Sequence, residues 1–238
     1  MSTFIISLAF RRHPFFPQNN RAIIREVCQG DNAKPKTSVD FGFPPPSPQL
    51  SRQVYNMALY GFQKLIAEGK ISKNILTIID FSKPSTEKRL FLVDLNSTKL
   101  LVNTWVAHGR NSGENLATRF SNLDANHQSS LGFYFTGSAF VGSNGYSLKL
   151  IGLEPRFNDN AEQRGIVMHG ANYVSGDMVK HVGRLGRSWG GPAVSKAENR
   201  QIINLIKGGS CIFMYAPQQQ YLASSKLLSG FPCKLSTP

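Results

Sequence analysis

Two segments, Gly165-Ile-Val-Met-His-Gly-Ala171 and Gly186-Arg-Ser-Trp-Gly-Gly-Pro-Ala-Val-Ser195, decide how this chain is interpreted. The first is a β-favouring run that ends in His-Gly, which predicts that the imidazole of His169 lies at a strand end. The second is a glycine-rich loop leading into a helix. Successive glycines free the backbone to aim several N–H groups into one concavity, near a helix N-terminus that favours negative charge.

A histidine that faces such a loop has two parts of an acyl-transfer site, a base and the donors for an oxyanion. The residues alone leave a second interpretation open for each position. His169 also fits a hydrogen-bonded structural histidine at a strand end, and Trp189 fits simple core packing.

Around these segments, the chain is predicted to be a block of short strands. β-favouring runs are separated by clusters of glycine, asparagine, serine or proline. They cover residues 75–81, 89–95, 100–107, 132–141, 147–153, 165–168 and, after a glycine pair, 211–215.

Two helices flank the strand block. Apolar residues at three- and four-residue spacing predict the first over residues 49–68, with Gly69 placed to stop it. The second begins at Ser195-Lys-Ala-Glu198, a capping-box pattern, and Gly208-Gly209 ends it. The predicted class is therefore mainly β with flanking helices.

Length and composition favour one domain with an appended arm. The chain has 238 residues, of which 41% are hydrophobic and only 17% charged, so it can build a core and is not a highly charged disordered chain. The first fifty residues hold seven of the thirteen prolines. We therefore predict a proline-rich arm or linker over residues 1–48 and a folded domain with a short tail over 49–238.

The N-terminus gives no recognisable signal peptide. The apolar run Phe4-Ile-Ile-Ser-Leu-Ala-Phe10 is followed, not preceded, by Arg11-Arg12, which is the wrong polarity for export. No apolar run approaches the ~20 residues of a transmembrane segment.

The net charge of +13 predicts an anionic partner, although solubility alone would also explain it. Nucleic acid, a membrane surface and an anionic cell-wall polymer are the candidates. No RNA-binding signature, zinc-finger spacing or helix-turn-helix pattern is present, so we expect no nucleic acid.

Several kinds of site are excluded by spacing. The five histidines show no zinc-ligand spacing and no HExxH, so no metal is expected. The P-loop, the dinucleotide fingerprint and Gly-x-Ser-x-Gly are missing, and no cofactor is expected. The three cysteines form no CxxC, and Cys211 is interpreted as a buried strand residue.

Further short motifs accompany the two deciding segments in a fixed order. They are Asp80-Phe-Ser82, Arg-Leu-x-x-x-Asp-Leu at 89–95, Val106-Ala-His-Gly-Arg-Asn-Ser-Gly113, Phe120-Ser-Asn122, Ser129-Ser-Leu-Gly132, Leu150-Ile-Gly-Leu-Glu154, Asn158-Asp159 and Gly183-Arg-Leu-Gly-Arg-Ser-Trp-Gly190. On these residues the chain resembles the murein L,D-transpeptidase catalytic domain, YkuD-like, in the branch whose motif is Ser-Trp-Gly-Cys-Pro. The resemblance covers most of residues 50–216.

The resemblance implies a mixed-strand, two-sheet β fold in the cell envelope or periplasm. It also implies a reaction in which a cysteine thiolate attacks the bond between a stem diamino acid and D-alanine. D-alanine then leaves, and the acyl group passes to the amine of a neighbouring peptidoglycan stem.

Carried over by position, the resemblance implies roles for individual residues. His169 is the general base, and the N–H groups around Trp189 to Gly191, including Gly190, bind the oxyanion beside Ser188. Gly170 and the pair Arg184 and Arg187 would contact the substrate, the arginines through its carboxylates, although a structural ion pair is equally open to them.

One departure changes the expected function. Gly191 stands where the family has its nucleophilic cysteine, and a glycine cannot form an acyl-enzyme. Ser188, three residues away, would have to reach the same attack point. We therefore expect a family member that is inactive as written, with a non-catalytic peptidoglycan-binding or scaffold protein as the alternative. The glycine can be an engineered change, a natural substitution or a sequence error.

Overall fold

The computed structural model describes residues 44–231. Most of the predicted N-terminal arm, with His13 and Cys28, lies outside the described residues, as does Cys233. The four helices are α1 (Arg52–Ala67), α2 (Gly176–Val182), α3 (Lys196–Ile206) and α4 (Gln219–Ser224). The eight strands are β1 (Ile75–Asp80), β2 (Leu90–Asp94), β3 (Lys99–Thr104), β4 (Gly132–Gly142), β5 (Gly145–Gly152), β6 (Val167–Ala171), β7 (Ala193–Ser195) and β8 (Cys211–Tyr215).

The strands form a mixed sheet in the order β3-β2-β1-β8-β4-β5-β6-β7. The pairs β1–β8 and β6–β7 are parallel, and the other neighbouring pairs are antiparallel. Ala107, just after β3, exchanges backbone hydrogen bonds of 2.8 and 3.2 Å with Ala193 in β7, which brings the two ends of the sheet together. The mainly β class with mixed strands is confirmed. Strands expected in two sheets are joined here into one nearly closed, barrel-like sheet.

The two long helices pack on the sheet and close the core. α1 lies on β1 and β8, and α3 lies on β5, β6 and β7. Phe62 and Leu65 of α1 and Ile203 of α3 are fully buried. Burying one such side chain stabilises the fold by roughly 1.5–3 kcal/mol, so each apolar stripe holds its helix against the strands. Within residues 44–231, no helix is long and apolar enough to span a membrane.

Helix α3 begins with the predicted cap, in a modified form. The hydroxyl of Ser195 accepts from the Glu198 amide at 3.3 Å, as expected. The Glu198 carboxylate, however, accepts from the hydroxyls of Ser195 and Thr104, each at 2.6 Å, and not from the Ser195 backbone. The cap therefore also joins α3 to the end of β3.

Three short elements were absent from the sequence prediction: α2, β7 and α4. None has the apolar periodicity of a longer element, since α2 buries no residue and β7 has only three residues. The strand predicted over 165–168 corresponds to β6, which begins two residues later and ends at Ala171. Its pairing with β7 extends the ladder past His169 to Ala171.

The segment after β8 is fixed to the core by a buried carboxylate. Glu154 accepts hydrogen bonds from the Phe133 amide and the Tyr221 hydroxyl, both at 2.8 Å, and from the Ser225 hydroxyl. Burial raises the pKa of Glu154, and these donors partly offset that effect. Tyr221 belongs to α4, so the tail that carried little sequence information packs against the domain.

Candidate functional site

His169 is the central residue of β6, not its end residue. It pairs with Ser147 of β5 on one side and with Ala193 of β7 on the other. His169 is only 8% exposed, so its imidazole is almost completely enclosed by neighbouring residues. The prediction that the strand ends at this histidine is therefore wrong, because the pairing with β7 continues to Ala171.

The contacts of the His169 imidazole fix its tautomer. Nδ1 lies 3.4 Å from the carbonyl oxygen of Val167, which can only accept, so Nδ1 carries the proton. Nε2 lies 3.3 Å from the hydroxyl of Tyr173, which donates to its lone pair. Burial lowers the pKa of His169, and the Val167 carbonyl opposes that shift. The ring is thus kept neutral and able to accept a proton, as a general base requires.

Ser188 is buried in the glycine-rich loop and its hydroxyl is fully engaged. It donates to the carbonyl oxygen of Gly191 at 2.5 Å and accepts from the Gly190 amide at 3.1 Å. Its backbone is held as well, since its amide donates to His108 at 2.9 Å and its carbonyl accepts from Arg110 at 2.8 Å. The hydroxyl therefore shapes the loop from inside.

Gly191 packs directly against the backbone of β6. A Cβ atom built on Gly191 would overlap the carbonyl oxygen of Val167 and lie 3.1 Å from the Val167 amide nitrogen. That carbonyl is the one that accepts from His169, so the two positions that the resemblance pairs do face one point. At that point, however, backbone atoms occupy the space where a side chain of residue 191 would begin.

The predicted oxyanion donors differ in availability. The Gly190 amide is bonded to Ser188, whereas the Trp189 and Gly191 amides have no hydrogen-bond partner within the described chain. Gly190 has a φ of +122°, a backbone conformation that disfavours any side chain. The loop is separated from α3 by β7, so the helix N-terminus is not adjacent to these amides.

Trp189 is exposed, which rules out the alternative interpretation of simple core packing. Its side chain is 73% accessible and its ring stacks on His127 at a centroid distance of 5.0 Å and an interplanar angle of 23°. The loop that carries His127 is held by Arg164, which donates to Ser121, Asn126, Gln128 and Ser130. No sequence pattern predicts this contact, because the two rings are distant along the chain.

A buried arginine supports the loop from behind. The side chain of Arg89 is inaccessible and donates to Val106, Lys83 and His108, the last at 2.7 Å on Nδ1. Because a guanidinium cannot accept, the proton of His108 is on Nε2, which donates to Gly113 at 3.2 Å. Burial and the nearby Arg89 lower the pKa of His108 to about 4. The 106–113 motif thus positions the backbone to which Ser188 bonds.

The two arginines proposed for substrate carboxylates share one protein carboxylate. Arg184 lies 3.0 Å and Arg187 lies 2.5 Å from the two oxygens of Glu114. Arg187 also donates to the carbonyls of Arg110 and Gly113 at 3.2 Å. The arrangement is the ion pair that the sequence left open, and Glu114 is exposed enough for a ligand carboxylate to compete with it.

Two further predicted positions serve packing. A Cβ on Gly170 would lie 2.9 Å from Cβ of Asn199, so this glycine lets α3 approach β6. Cys211 is fully buried in β8, as predicted, and burial raises the pKa of its thiol. Among residues 44–231, no group of three or more His, Cys, Asp or Glu side chains could hold a metal ion.

Tyr173 is the functional residue that the sequence analysis missed. It follows the Met-His-Gly motif closely, and its hydroxyl contacts His169 because the chain turns back after β6. Burial raises its pKa, so it stays a donor at neutral pH.

The sequence model of the L,D-transpeptidase catalytic domain family matches residues 46–215 of the chain. This chain belongs to that family. A comparison with curated protein sequences gave no match.

Solved structures that are similar to this protein align with only part of the chain. An L,D-transpeptidase from Mycobacterium smegmatis is 11% identical, with a TM-score of 0.38, over 60% of this chain and 59% of that one. The helical cell shape determining protein Pgp2 from Campylobacter jejuni is 11% identical, with a TM-score of 0.41, over 67% and 57%. Bd1075 from Bdellovibrio bacteriovorus is 14% identical, with a TM-score of 0.37, over 60% and 48%. The chain thus spans under two thirds of each of these proteins.

Proposed function

We propose that this chain binds peptidoglycan stem peptides in the cleft beside His169 and forms no acyl-enzyme there. The observation that carries the proposal is the packing of Gly191 on Val167, which leaves no room for a side chain at the position that the resemblance assigns to the nucleophile. The family acts on peptidoglycan stem peptides. Without a thiolate, the cleft retains recognition and loses covalent chemistry.

The alternative nucleophile in the loop is unsuitable. The Ser188 hydroxyl is buried and donates its hydrogen bond to the Gly191 carbonyl at 2.5 Å. His169 bonds to Val167 and Tyr173, so it does not contact this hydroxyl to activate it. An activated serine needs its base within hydrogen-bond reach, and that contact is missing here.

Several groups remain available for recognition. The Trp189 and Gly191 amides can donate to a stem-peptide carbonyl, and the Arg184 and Arg187 pair can take a carboxylate in place of Glu114. The exposed ring of Trp189 adds an apolar face. A net charge of +13 favours an anionic wall polymer as the wider partner.

We place the protein in the cell envelope or periplasm, since the family is typically extracytoplasmic. In this proposal, residues 1–48 form a proline-rich arm, and residues 49–238 form the domain that holds the cleft.

A second candidate function is favoured by one observation. The imidazole of His169 bonds to the Val167 carbonyl and Gly191 packs on that same carbonyl, so the positions of the base and of the missing nucleophile lie close together. The chain would then be a transpeptidase domain disarmed at a single position. In this case Gly191→Cys would recover acyl transfer after a shift of the loop away from β6.

Binding and acylation measured together separate these candidates. We would incubate the native chain and Gly191→Cys with a tetrapeptide-stem muropeptide and with a carbapenem, and record intact mass, released D-alanine and retention on purified sacculi. The proposal expects retention on sacculi and no adduct on either chain. Adducts and D-alanine release with the variant alone would favour the disarmed enzyme. Adducts on the native chain, or no retention by it, would overturn the proposal.

A further inference from the structure

A concave site lies apart from His169 and the glycine-rich loop. A cavity of about 460 Å³ opens between the loop at residues 120–123, the turn at 156–160 and the segment that leads into α4. Its lining includes neither His169 nor any residue of the glycine-rich loop. The volume is in the range of small-ligand sites, which run from about 300 to 1,000 Å³.

One wall of this cavity comes from outside the matched family domain. Gln218, Gln220 and Tyr221 line it, whereas the family match ends at residue 215. Tyr221 is held rigidly, because its hydroxyl donates to Glu154 at 2.8 Å and its ring meets Phe157 edge to face at 5.1 Å. The cavity is therefore preformed by the packing of α4 on the domain.

Part of the cavity lining is apolar. Phe120 is fixed by a stacked contact with Phe81 at 5.9 Å, and Leu123, next to it in the loop, is 71% exposed. These residues, with Phe157, can bury one medium-sized apolar side chain.

The lining also carries one cation and one anion. Arg156 is exposed and has no ion pair with any carboxylate in residues 44–231. Oδ1 of Asp159 accepts two hydrogen bonds, one from the side-chain amide of Asn122 at 2.7 Å and one from the backbone amide of Arg156 at 2.8 Å. Its Oδ2 has no partner within the described residues. The φ of Arg156 is +74°, so the turn holds this arginine in an unfavourable backbone conformation.

We propose that this cavity binds a short peptide with a free amino group and a free carboxylate. The Arg156 guanidinium takes the carboxylate through two parallel N–H donors, and Asp159 Oδ2 accepts from the ammonium group. The apolar side chain of the peptide covers Phe120 and Leu123. A polyanion such as a nucleotide would meet the Asp159 carboxylate, and a neutral sugar would leave both charges unpaired. The site is independent of the stem-peptide cleft.

The test uses the full chain and the dipeptide L-leucyl-L-alanine as the probe. Isothermal titration calorimetry would compare the free dipeptide with its N-acetylated and its C-amidated forms. We expect one site per chain, and affinity about tenfold or more weaker for each capped form, as for the loss of one charge-assisted hydrogen bond. This comparison needs no variant, so it stands even if a substitution disturbs folding.

Two substitutions then assign each charge. Asp159→Asn should weaken the free dipeptide about as much as acetylation does and should remove the effect of acetylation. Arg156→Gln should do the same for amidation. Lys99→Gln, which removes one exposed positive charge on β3, is the matched control and should change nothing.

Absence of binding by the native chain would overturn the proposal. Binding with equal affinity for free and capped dipeptides, or binding unaffected by both substitutions, would also overturn it. Retention on sacculi reports separately on the cleft, so either proposal can fail while the other stands.

Discussion

Gly191 lies against the backbone of Val167 so closely that a Cβ atom on the glycine would overlap the Val167 carbonyl oxygen. The contact is between two backbone segments, the loop and β6, so no flexible side chain can move aside. Any residue larger than glycine at 191 must displace one of these segments, together with the hydrogen bond from His169 to the same carbonyl.

Gly191→Ala and Gly191→Cys should therefore lower the free energy of unfolding by about 1–3 kcal/mol, the usual cost of overpacking. Each kcal/mol corresponds to roughly 2–4 °C in Tm for a domain of this size. Differential scanning calorimetry would measure the shift. Gly176→Ala is the control, since its Cβ would make only an ordinary contact of 3.5 Å with Trp105. An unchanged Tm for Gly191→Ala would contradict the packing described here.

Ser188→Ala should destabilise the loop. It should not change covalent labelling, since we expect no acyl adduct on the native chain. The substitution removes the hydrogen bond to the Gly191 carbonyl and leaves the buried Gly190 amide unpaired, at a cost of about 1–3 kcal/mol. Urea unfolding would measure stability, and intact mass after carbapenem treatment would measure adducts. Ser224→Ala, at an exposed serine, is the control. An adduct on the native chain that disappears in Ser188→Ala would identify this serine as a nucleophile.

Stability should fall on mild acidification because of His108. Its pKa in the folded protein is about 4, below the ordinary value of about 6.5 in the unfolded chain. The unfolded chain therefore binds a proton first, and stability is lost progressively as pH falls from about 6.5 to about 4. The lowered pKa of His169 acts in the same direction.

The loss attributable to His108 should be about 3 kcal/mol over this range. Urea unfolding midpoints at pH 7, 5.5 and 4.5 would measure this loss in the native chain and in His108→Asn. The slope of the midpoint against pH should be flatter for His108→Asn. His181→Asn changes an exposed histidine and should keep the native slope. Equal slopes for all three proteins would contradict the prediction.

Glu154→Gln should loosen the packing of α4. The carboxylate accepts from Phe133, Tyr221 and Ser225, and the amide group of glutamine would turn a donor toward one of these donors. We expect a loss of about 1–3 kcal/mol in the free energy of unfolding, with faster amide hydrogen exchange in residues 219–224. Glu162→Gln, at an exposed glutamate, should leave both unchanged. Unaltered exchange in α4 would show that other contacts hold this helix.

Glu114→Gln should strengthen binding of stem peptides by about twofold to fivefold. The substitution frees Arg184 and Arg187 from their shared carboxylate, and exposed pairs of this kind contribute up to about 1 kcal/mol. Calorimetry with a tetrapeptide-stem muropeptide would measure the affinity. Glu87→Gln breaks the exposed pair with Lys83 and makes the same charge change, so it corrects for net charge. If the two variants bind equally, the arginines do not contact the ligand.

Local sequence patterns predicted most of the fold. The apolar spacing of α1 and α3, the cap at Ser195 and seven of the eight strands follow from interactions between residues close in sequence. Short elements without such spacing, α2, β7 and α4, depend on what the rest of the chain places beside them. Likewise, the strand around His169 continues further than predicted because β7 pairs with it.

For the site, the sequence by itself determined the residue types: a histidine on a strand, a glycine-rich loop beside it and no side chain at 191. Contacts between distant segments decided everything that gives these residues a role. Glu114 joins Arg184 to Arg187, and Trp189 stacks on His127. The Gly191 overlap with Val167 is also of this kind. Side-chain periodicity reports which face of an element is buried, but which atoms meet there is set only when the sheet closes.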